Sequence, residues 1–324
     1  MATQAETRIK SLKEILITKL NVEEKLAHLI AYLGEGTAEI QKILSNYVDH
    51  SNSYVGTQNA SGDDQLQLDI SCDNACFTAL RASGVVSIAA SEETPVETDC
   101  GCQSGGFDIG FDPLDGSSII GANFSIGSIF GIWPRNEKKT LIGRTGREQV
   151  ASVISMYGPR TTICVALPSS SIVVEFTLVD NYSQWKLSRE NITIAASGKV
   201  FAPGNLRASN DNDKYDALIK YWISERYTLR YTGGMVPDVY HIFVKEKGVF
   251  SNVSSEKAKA KLRLLYEVAP IGLAIEVAGG LTTHESYDTS VLDIELKDLD
   301  QRLGVCFGST EEVKTFKKYI FGTS

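Results

Sequence analysis

The chain has 324 residues, 43% of them hydrophobic, which is enough apolar material for one large domain or two ordinary ones and excludes a mini-protein or a disordered tail. Forty acidic residues against thirty-two basic ones leave a net charge of −8, so no basic surface recommends nucleic acid or an anionic membrane as partner. Any anionic ligand has to be bound by local groups. The six cysteines (Cys72, Cys76, Cys100, Cys102, Cys164 and Cys306) are too sparse for a secreted disulfide scaffold and point to a reducing compartment. The opening MATQAETRIKSLKEILITKL carries acids where a targeting segment has none, and no apolar run approaches the roughly eighteen residues of a membrane span. The expectation is a soluble, cytoplasmic protein.

The first fifty residues read as helices, with Leu12, Ile15, Leu16 and Leu20 on one face and Val22, Leu26, Leu29, Ile30 and Leu33 on another. Asn21 with Glu24 reads as a capping box and Gly34 as a stop. Around Leu66, Leu68 and Ile70 the period falls to two. CDNACFTALRASG then predicts a short helix ended by Gly84, and VVSIAA a buried strand. FDIGFD alternates again and should deliver Asp112 to a strand end, before a turn at PLDG. Further strands are expected at 124–132, 163–167 and 172–179, and helices at about 211–226 and 258–278, the last kinked at Pro270. This interleaving predicts an α/β chain of stacked helix and sheet layers. The polar stretch SRENITIAASG divides it into two subdomains, 1–194 and 195–324.

The chemistry gathers in four acidic segments: Asp63, Asp64 and Asp69; Glu92 and Glu93; Asp112 and Asp115; and Glu267. Hard oxygen donors without a histidine cluster suit Mg²⁺ or Mn²⁺ rather than zinc. In DPLDGSS the proline and glycine let the carboxylates of Asp112 and Asp115 converge with the Leu114 carbonyl between them, and the amides of Gly116, Ser117 and Ser118 can then face a phosphate. Each segment also has a plainer reading. DPLDG could be a surface turn, the glutamate pair a solvated loop, and Glu267 half of a buried ion pair with Lys261 or Arg263. Lys261 and Arg263, Arg230 and Tyr231 before a Gly-Gly turn, and Asn205 are candidates for a second phosphate. His28, His50, His241 and His284 are scattered, and Cys100 and Cys102 are expected as free thiols because one intervening residue strains a disulfide.

With FDPLDGSS, the Glu92–Glu93 pair, GDDQLQLD and KLRLLYEVAP, the chain resembles the metal-dependent sugar bisphosphatases of the fructose-1,6-bisphosphatase type, nearly end to end. NFSIGSIFGIWP, YGPRTT, PGNLRAS and YTLRYTGGMVPDV look like its sedoheptulose-bisphosphatase branch. The resemblance implies hydrolysis of the 1-phosphate of sedoheptulose 1,7-bisphosphate, with fructose 1,6-bisphosphate or dual specificity as the alternative. It also implies an N-terminal metal-binding and a C-terminal sugar-phosphate-binding subdomain. Glu92, Asp112, Asp115, Glu267 and the Leu114 carbonyl would hold two or three Mg²⁺, Mn²⁺ being possible, and Asp63 would support a further metal. Asp69 and Glu93 would orient and deprotonate the attacking water. Gly116, Ser117, Ser118 and Arg263 would hold the reacting phosphate; Asn205, Arg230, Tyr231 and Lys261 would bind the distal one; Met235 would line the sugar site. Arg230 would reach across from a neighbouring subunit, which implies a homodimer. Three departures go with it: Asn52 and Thr57 stand where plastid enzymes carry a regulatory cysteine pair, Asn252 lies near the place of a phosphate-binding tyrosine, and TPVETDCGCQSGG lacks the basic segment of AMP-inhibited enzymes.

Overall fold

A computed structural model describes residues 3–48, 54–58 and 64–322. Asp63, and with it the metal-supporting role expected there, lies outside the described residues.

Two helices open the chain. Helix α1 (Gln4–Thr18) starts at a capping box in which the Thr3 hydroxyl accepts from the Glu6 amide and the Glu6 carboxylate accepts from the Thr3 amide. Helix α2 (Glu24–Ser45) is capped by Glu23, whose carboxylate accepts from the Leu26 amide at 2.9 Å, rather than by the expected Asn21–Glu24 box. Gly34 does not stop α2. It lies inside the helix because α1 crosses there, and a Cβ at Gly34 would sit 2.7 Å from Leu12 Cδ2. Strands β1 (Tyr54–Gln58) and β2 (Asp64–Leu66) pair antiparallel, and helix α3 (Gln67–Ser83) begins earlier than expected. Leu68, Cys72, Cys76 and Leu80, four residues apart and all buried, form a helical stripe that overrides the short alternation at Leu66–Ile70.

An eight-stranded sheet follows, built from β3 (Val86–Ser91), β4 (Thr98–Asp99), β5 (Phe107–Asp115), β6 (Ile126–Pro134), β7 (Ala151–Tyr157), β8 (Thr161–Leu167), β9 (Ile172–Val179) and β10 (Gln184–Arg189) in the order β10-β9-β8-β7-β6-β5-β3-β4. Within this sheet, among the described residues, only the β3–β5 pairing is parallel. The second sheet contains β11 (Val200–Gly204), β12 (Thr228–Leu229), β13 (Val249–Asn252), β14 (Leu281–His284) and β15 (Val305–Gly308), ordered β12-β11-β13-β15-β14. The remaining helices are α4 (Asp213–Ser224), α5 (Met235–Lys245), α6 (Ala269–Val277) and α7 (Thr310–Phe321).

These elements stack as five layers around three cores. Helices α1 to α3 cover one face of the large sheet, with Leu12, Leu29, Phe77 and Phe111 in that core. Helices α5 and α6 lie between the two sheets with Ile129, Trp133, Phe243 and Phe307, while α4 and α7 close the outer face of the small sheet with Trp222 and Phe316. The expected layered α/β fold is what forms. The helix expected over 258–278 is shorter. Residues 258–263 are not helical, a π-helical turn spans Leu264–Val268, and α6 starts at Ala269 with Pro270 in its first turn, where a missing N–H costs nothing. No described helix is long and apolar enough to cross a membrane.

Candidate active site

Strand β5 is buried along all nine residues and carries the acids to its end. Asp112 Oδ1 accepts from the Leu114 amide at 2.9 Å, which folds Pro113 and Leu114 into a bulge rather than the plain turn expected. Ser128 Oγ donates to the Pro113 carbonyl at 2.7 Å and fastens that bulge to β6. Asp115 comes next. Its two oxygens accept from the Met235 amide at 3.1 Å and the Val236 amide at 2.6 Å, so the carboxylate sits at the N-terminus of α5, where helix amides favour an anion. Glu267 enters from the other side on the π-helical turn, a wide turn that often marks functional sites. Gly110 makes room for that turn, since a Cβ there would lie 2.5 Å from Leu265 Cδ1. The Glu267 carboxylate accepts from the Arg263 backbone amide at 2.6 Å.

One carboxylate oxygen each from Asp112, Asp115 and Glu267 falls within 4.8 Å of the others, and all three residues are buried. Burial, and after it the charges of Glu92, Asp115 and Glu267, push the Asp112 carboxyl well above its usual range. Burial and Glu92 do the same to Glu267. Asp115 is pushed to about 7 by burial, against the pull of the Val236 and Met235 amides. Three buried acids facing one another have their charge offset only by a proton or a cation, and an all-oxygen set of this kind fits a hard divalent ion.

Of the other predicted acids, Glu92 bears on this cluster directly, since its charge helps to raise all three carboxyls. Asp69 is buried in the first turn of α3, and burial, then the charges of Asp69, Asp73 and Asp112, raise the nearby Cys72 thiol. Glu92 and Glu93 occupy the loop after β3, where the Glu92 amide donates to the Phe111 carbonyl at 3.1 Å. The Glu92 carboxylate is taken by Arg263, whose Nε donates to Asp300 at 2.8 Å. Arg263 is buried and thus faces carboxylates on two sides.

A pocket of about 200 Å³ opens beside the cluster, lined by Asp115, Gly116, Ser117, Ser118, Met235 and Glu267 among others. Gly116, in the left-handed region at φ 91°, starts the short 3₁₀ turn Ser117–Ala122, whose first amides have no partner within the turn. The pocket shares Ser118, Tyr231, Gly233 and Asn252 with a recess of about 500 Å³ that also holds Asn205 and Lys261. Asn205 lines this recess, but its amide nitrogen donates to the Val253 and Ala258 carbonyls at 2.8 and 3.0 Å, so its side-chain donors hold the 253–258 segment in place. Arg230 is exposed and lines neither cavity. Sequence reasoning missed Arg207 and Lys259, two further exposed cations in the recess. Their signal was available, because Arg207 stands two residues from Asn205 and Lys259 two from Lys261.

The family profile described as fructose-1-6-bisphosphatase, N-terminal domain, matches residues 12–190, and that described as fructose-1-6-bisphosphatase, C-terminal domain, matches residues 194–321. The chain is 49% identical over 318 residues to the chloroplastic sedoheptulose-1,7-bisphosphatase of Spinacia oleracea, covering 97% of this chain and 79% of that one. It is 35% identical over 309 residues to the fructose-1,6-bisphosphatase class 1 of Citrifermentans bemidjiense, covering 93% of this chain and 89% of the relative. Among solved structures it superposes on Leishmania major fructose-1,6-bisphosphatase in holo form with a TM-score of 0.85 at 27% identity, covering 95% of this chain and 98% of that one. Fold and relatives define a sugar bisphosphatase, a hydrolase of phosphoric monoesters. The chain belongs to the fructose-1,6-bisphosphatase family.

Proposed function

We propose that the protein hydrolyses the 1-phosphate of sedoheptulose 1,7-bisphosphate, releasing sedoheptulose 7-phosphate and inorganic phosphate, with Mg²⁺ as cofactor. The observation that carries the chemistry is the buried cluster of Asp112, Asp115 and Glu267 beside an amide-rimmed pocket. The choice of sugar is supported by the 49% identity to a sedoheptulose enzyme against 35% to a fructose one. The fructose relatives keep fructose 1,6-bisphosphate as the second reading, either as the preferred substrate or as one of two.

In this scheme Asp112, Asp115, Glu267, Glu92 and the Leu114 carbonyl hold two or three Mg²⁺, with Mn²⁺ as the possible substitute, and Asp63 supports a further ion. Bound there, the cations would neutralise the phosphoryl oxygens and the leaving alkoxide. Asp69 and Glu93 accept from the attacking water, hold it in line with the phosphorus and take its proton. Gly116, Ser117 and Ser118 direct amides and hydroxyls at the reacting phosphate, and Arg263 keeps positive charge behind it. The distal phosphate goes to Lys261 and Tyr231 in the recess, in the place that Asn205 shapes, while Met235 lines the sugar. Arg230, exposed in the isolated chain, serves the site of a second subunit in a homodimer. Six free, buried thiols suit a reducing compartment, for which we propose the cytoplasm.

The test is phosphate release from the two bisphosphates side by side with Mg²⁺, compared as kcat/KM, and again after chelation with EDTA. A clear preference for the seven-carbon sugar and loss of turnover with EDTA are expected. Equal or reversed preference would move the protein to the fructose reading, and turnover that survives metal removal would overturn the metal scheme.

A further inference from the structure

Asp73 is a buried aspartate to which none of the roles above falls. It stands on α3 one helical turn after Asp69, so the two carboxylates leave the same face of the helix. Both of its oxygens are occupied by hydroxyls, one from the last residue of β3 and one from the short loop after it. Ser91 Oγ donates to Oδ1 at 2.6 Å, and Thr94 Oγ1 donates to Oδ2 at 2.8 Å. Glu92 and Glu93 are the two residues between those hydroxyls.

The loop is closed on itself as well as clasped. The Thr94 amide donates to Ser91 Oγ at 2.8 Å, the Ser91 amide donates to the Thr94 carbonyl at 3.1 Å, and the Glu92 amide ties the loop to Phe111, one residue before Asp112. Ser91 Oγ therefore accepts from the loop and has its proton left for Asp73. A carboxylate is the group that meets this arrangement, because it offers two acceptors in one plane, and bonds to a charged acceptor are short and strong.

We propose that Asp73 is the positioning residue of the acidic pair: by holding the Ser91 and Thr94 hydroxyls, one on each oxygen, it sets Glu92 and Glu93 against Asp69 on the same helix face. The inference rests on the roles proposed above for Glu92, Glu93 and Asp69. Asp73 touches neither phosphate nor water and acts through the loop. A purely structural role would lower stability and leave the turnover of the folded enzyme unchanged.

The experiment measures kcat, KM, the Mg²⁺ concentration for half-maximal activity and the melting temperature of Asp73→Asn, Thr94→Val, Thr94→Ser and Glu93→Gln in the full chain. Asp73→Asn and Thr94→Val are expected to lower kcat about tenfold or more and to raise the Mg²⁺ requirement, with KM for the bisphosphate within about twofold, since small displacements of catalytic groups cost at least this much. Thr94→Ser keeps the hydroxyl and should restore kcat. The Asp73→Asn/Thr94→Val double variant should be no worse than Asp73→Asn, because both changes open the same clasp. Wild-type kcat and Mg²⁺ requirement in Asp73→Asn and Thr94→Val would overturn the proposal, as would a loss that disappears when the variants are assayed well below their melting temperatures. Should Asp73→Asn fail to fold, Thr94→Val, which leaves the Ser91 arm in place, decides alone. Glu93→Gln separates the two levels: an inactive Glu93→Gln beside a fully active Asp73→Asn removes the clasp and keeps the acidic pair, whereas an active Glu93→Gln removes the reading of the pair and the clasp with it.

Discussion

Asp115 serves two purposes at once, anchoring the first amides of α5 and supplying an oxygen to the acidic cluster. Asn at this position keeps an acceptor for α5 but loses the charge. Asp115→Asn should therefore fold normally by circular dichroism and lose about 10²-fold or more in kcat. Near-normal turnover would take Asp115 out of the cage. Asp108, on the same strand, is a contrasting acid. It is fully buried, Arg144 lies 3.7 Å away, and burial pushes its carboxyl to about 6. Because the folded value lies above the unfolded one of about 3.9, Asp108 favours the folded state most at low pH, and that contribution fades as pH rises through about 6. Replacing it by Asn should flatten this part of the profile, stabilising the variant relative to the parent by up to about 2 kcal/mol more at pH 7 than at pH 4. Urea titrations at the two pH values would show it, and parallel profiles would contradict it. Residues of the cluster were legible because an acid on an apolar helix face or at the end of a buried strand is out of place without a partner. Asp73 was not, since a single aspartate in a helix gives no sign of the loop that will reach it.

At the scale of elements, the site depends on how closely α5 approaches β6. Gly127 is the point of contact: a Cβ there would meet the Val236 side chain and lie 2.6 Å from the Ser155 carbonyl oxygen, which is backbone and cannot swing aside. Gly127→Ala should cost about 1–3 kcal/mol, and because the displaced residue supplies the Val236 amide to Asp115, it should also reduce kcat. Denaturant titration with activity measured on the folded fraction would check both, and an Ala variant with parental stability and turnover would refute the close approach. Elements with a plain apolar period, such as α2, β3 and β9, are legible in the sequence, whereas Gly34 reads as a stop because a glycine that ends a helix and one that admits a neighbouring helix look alike. β7 has no clear apolar period in the sequence because Ser152 and Ser155 interrupt its run, both residues being buried in the sheet. The π-helical turn at Leu264–Val268 has no pattern of its own. It depends on Gly110, more than 150 residues earlier, which no local window contains.

For the whole molecule, the exposed Arg230 makes the proposed dimer testable without a structure of it. If each site takes Arg230 from the other chain, a mixed dimer of Arg230→Ala and Asp115→Asn chains contains one site with both residues intact. Unfolding and refolding the two weak variants together at equal ratio should then recover about a quarter of parental activity, since half the dimers are mixed and each has one good site. No recovery beyond the sum of the separate variants would confine Arg230 to its own chain. The enclosure of β5 has a consequence of another kind. The amides of residues 109–111, ahead of the bulge, lie between two cores, each closed by its own helices, so local fraying does not expose them to water. Their hydrogen–deuterium exchange should wait for the unfolding of the entire chain, while the 253–263 segment beside the recess, outside any helix, exchanges sooner. The strand that carries the acids would thus report global stability, and the loop that frames the distal end of the site would report its local breathing, in a single exchange experiment.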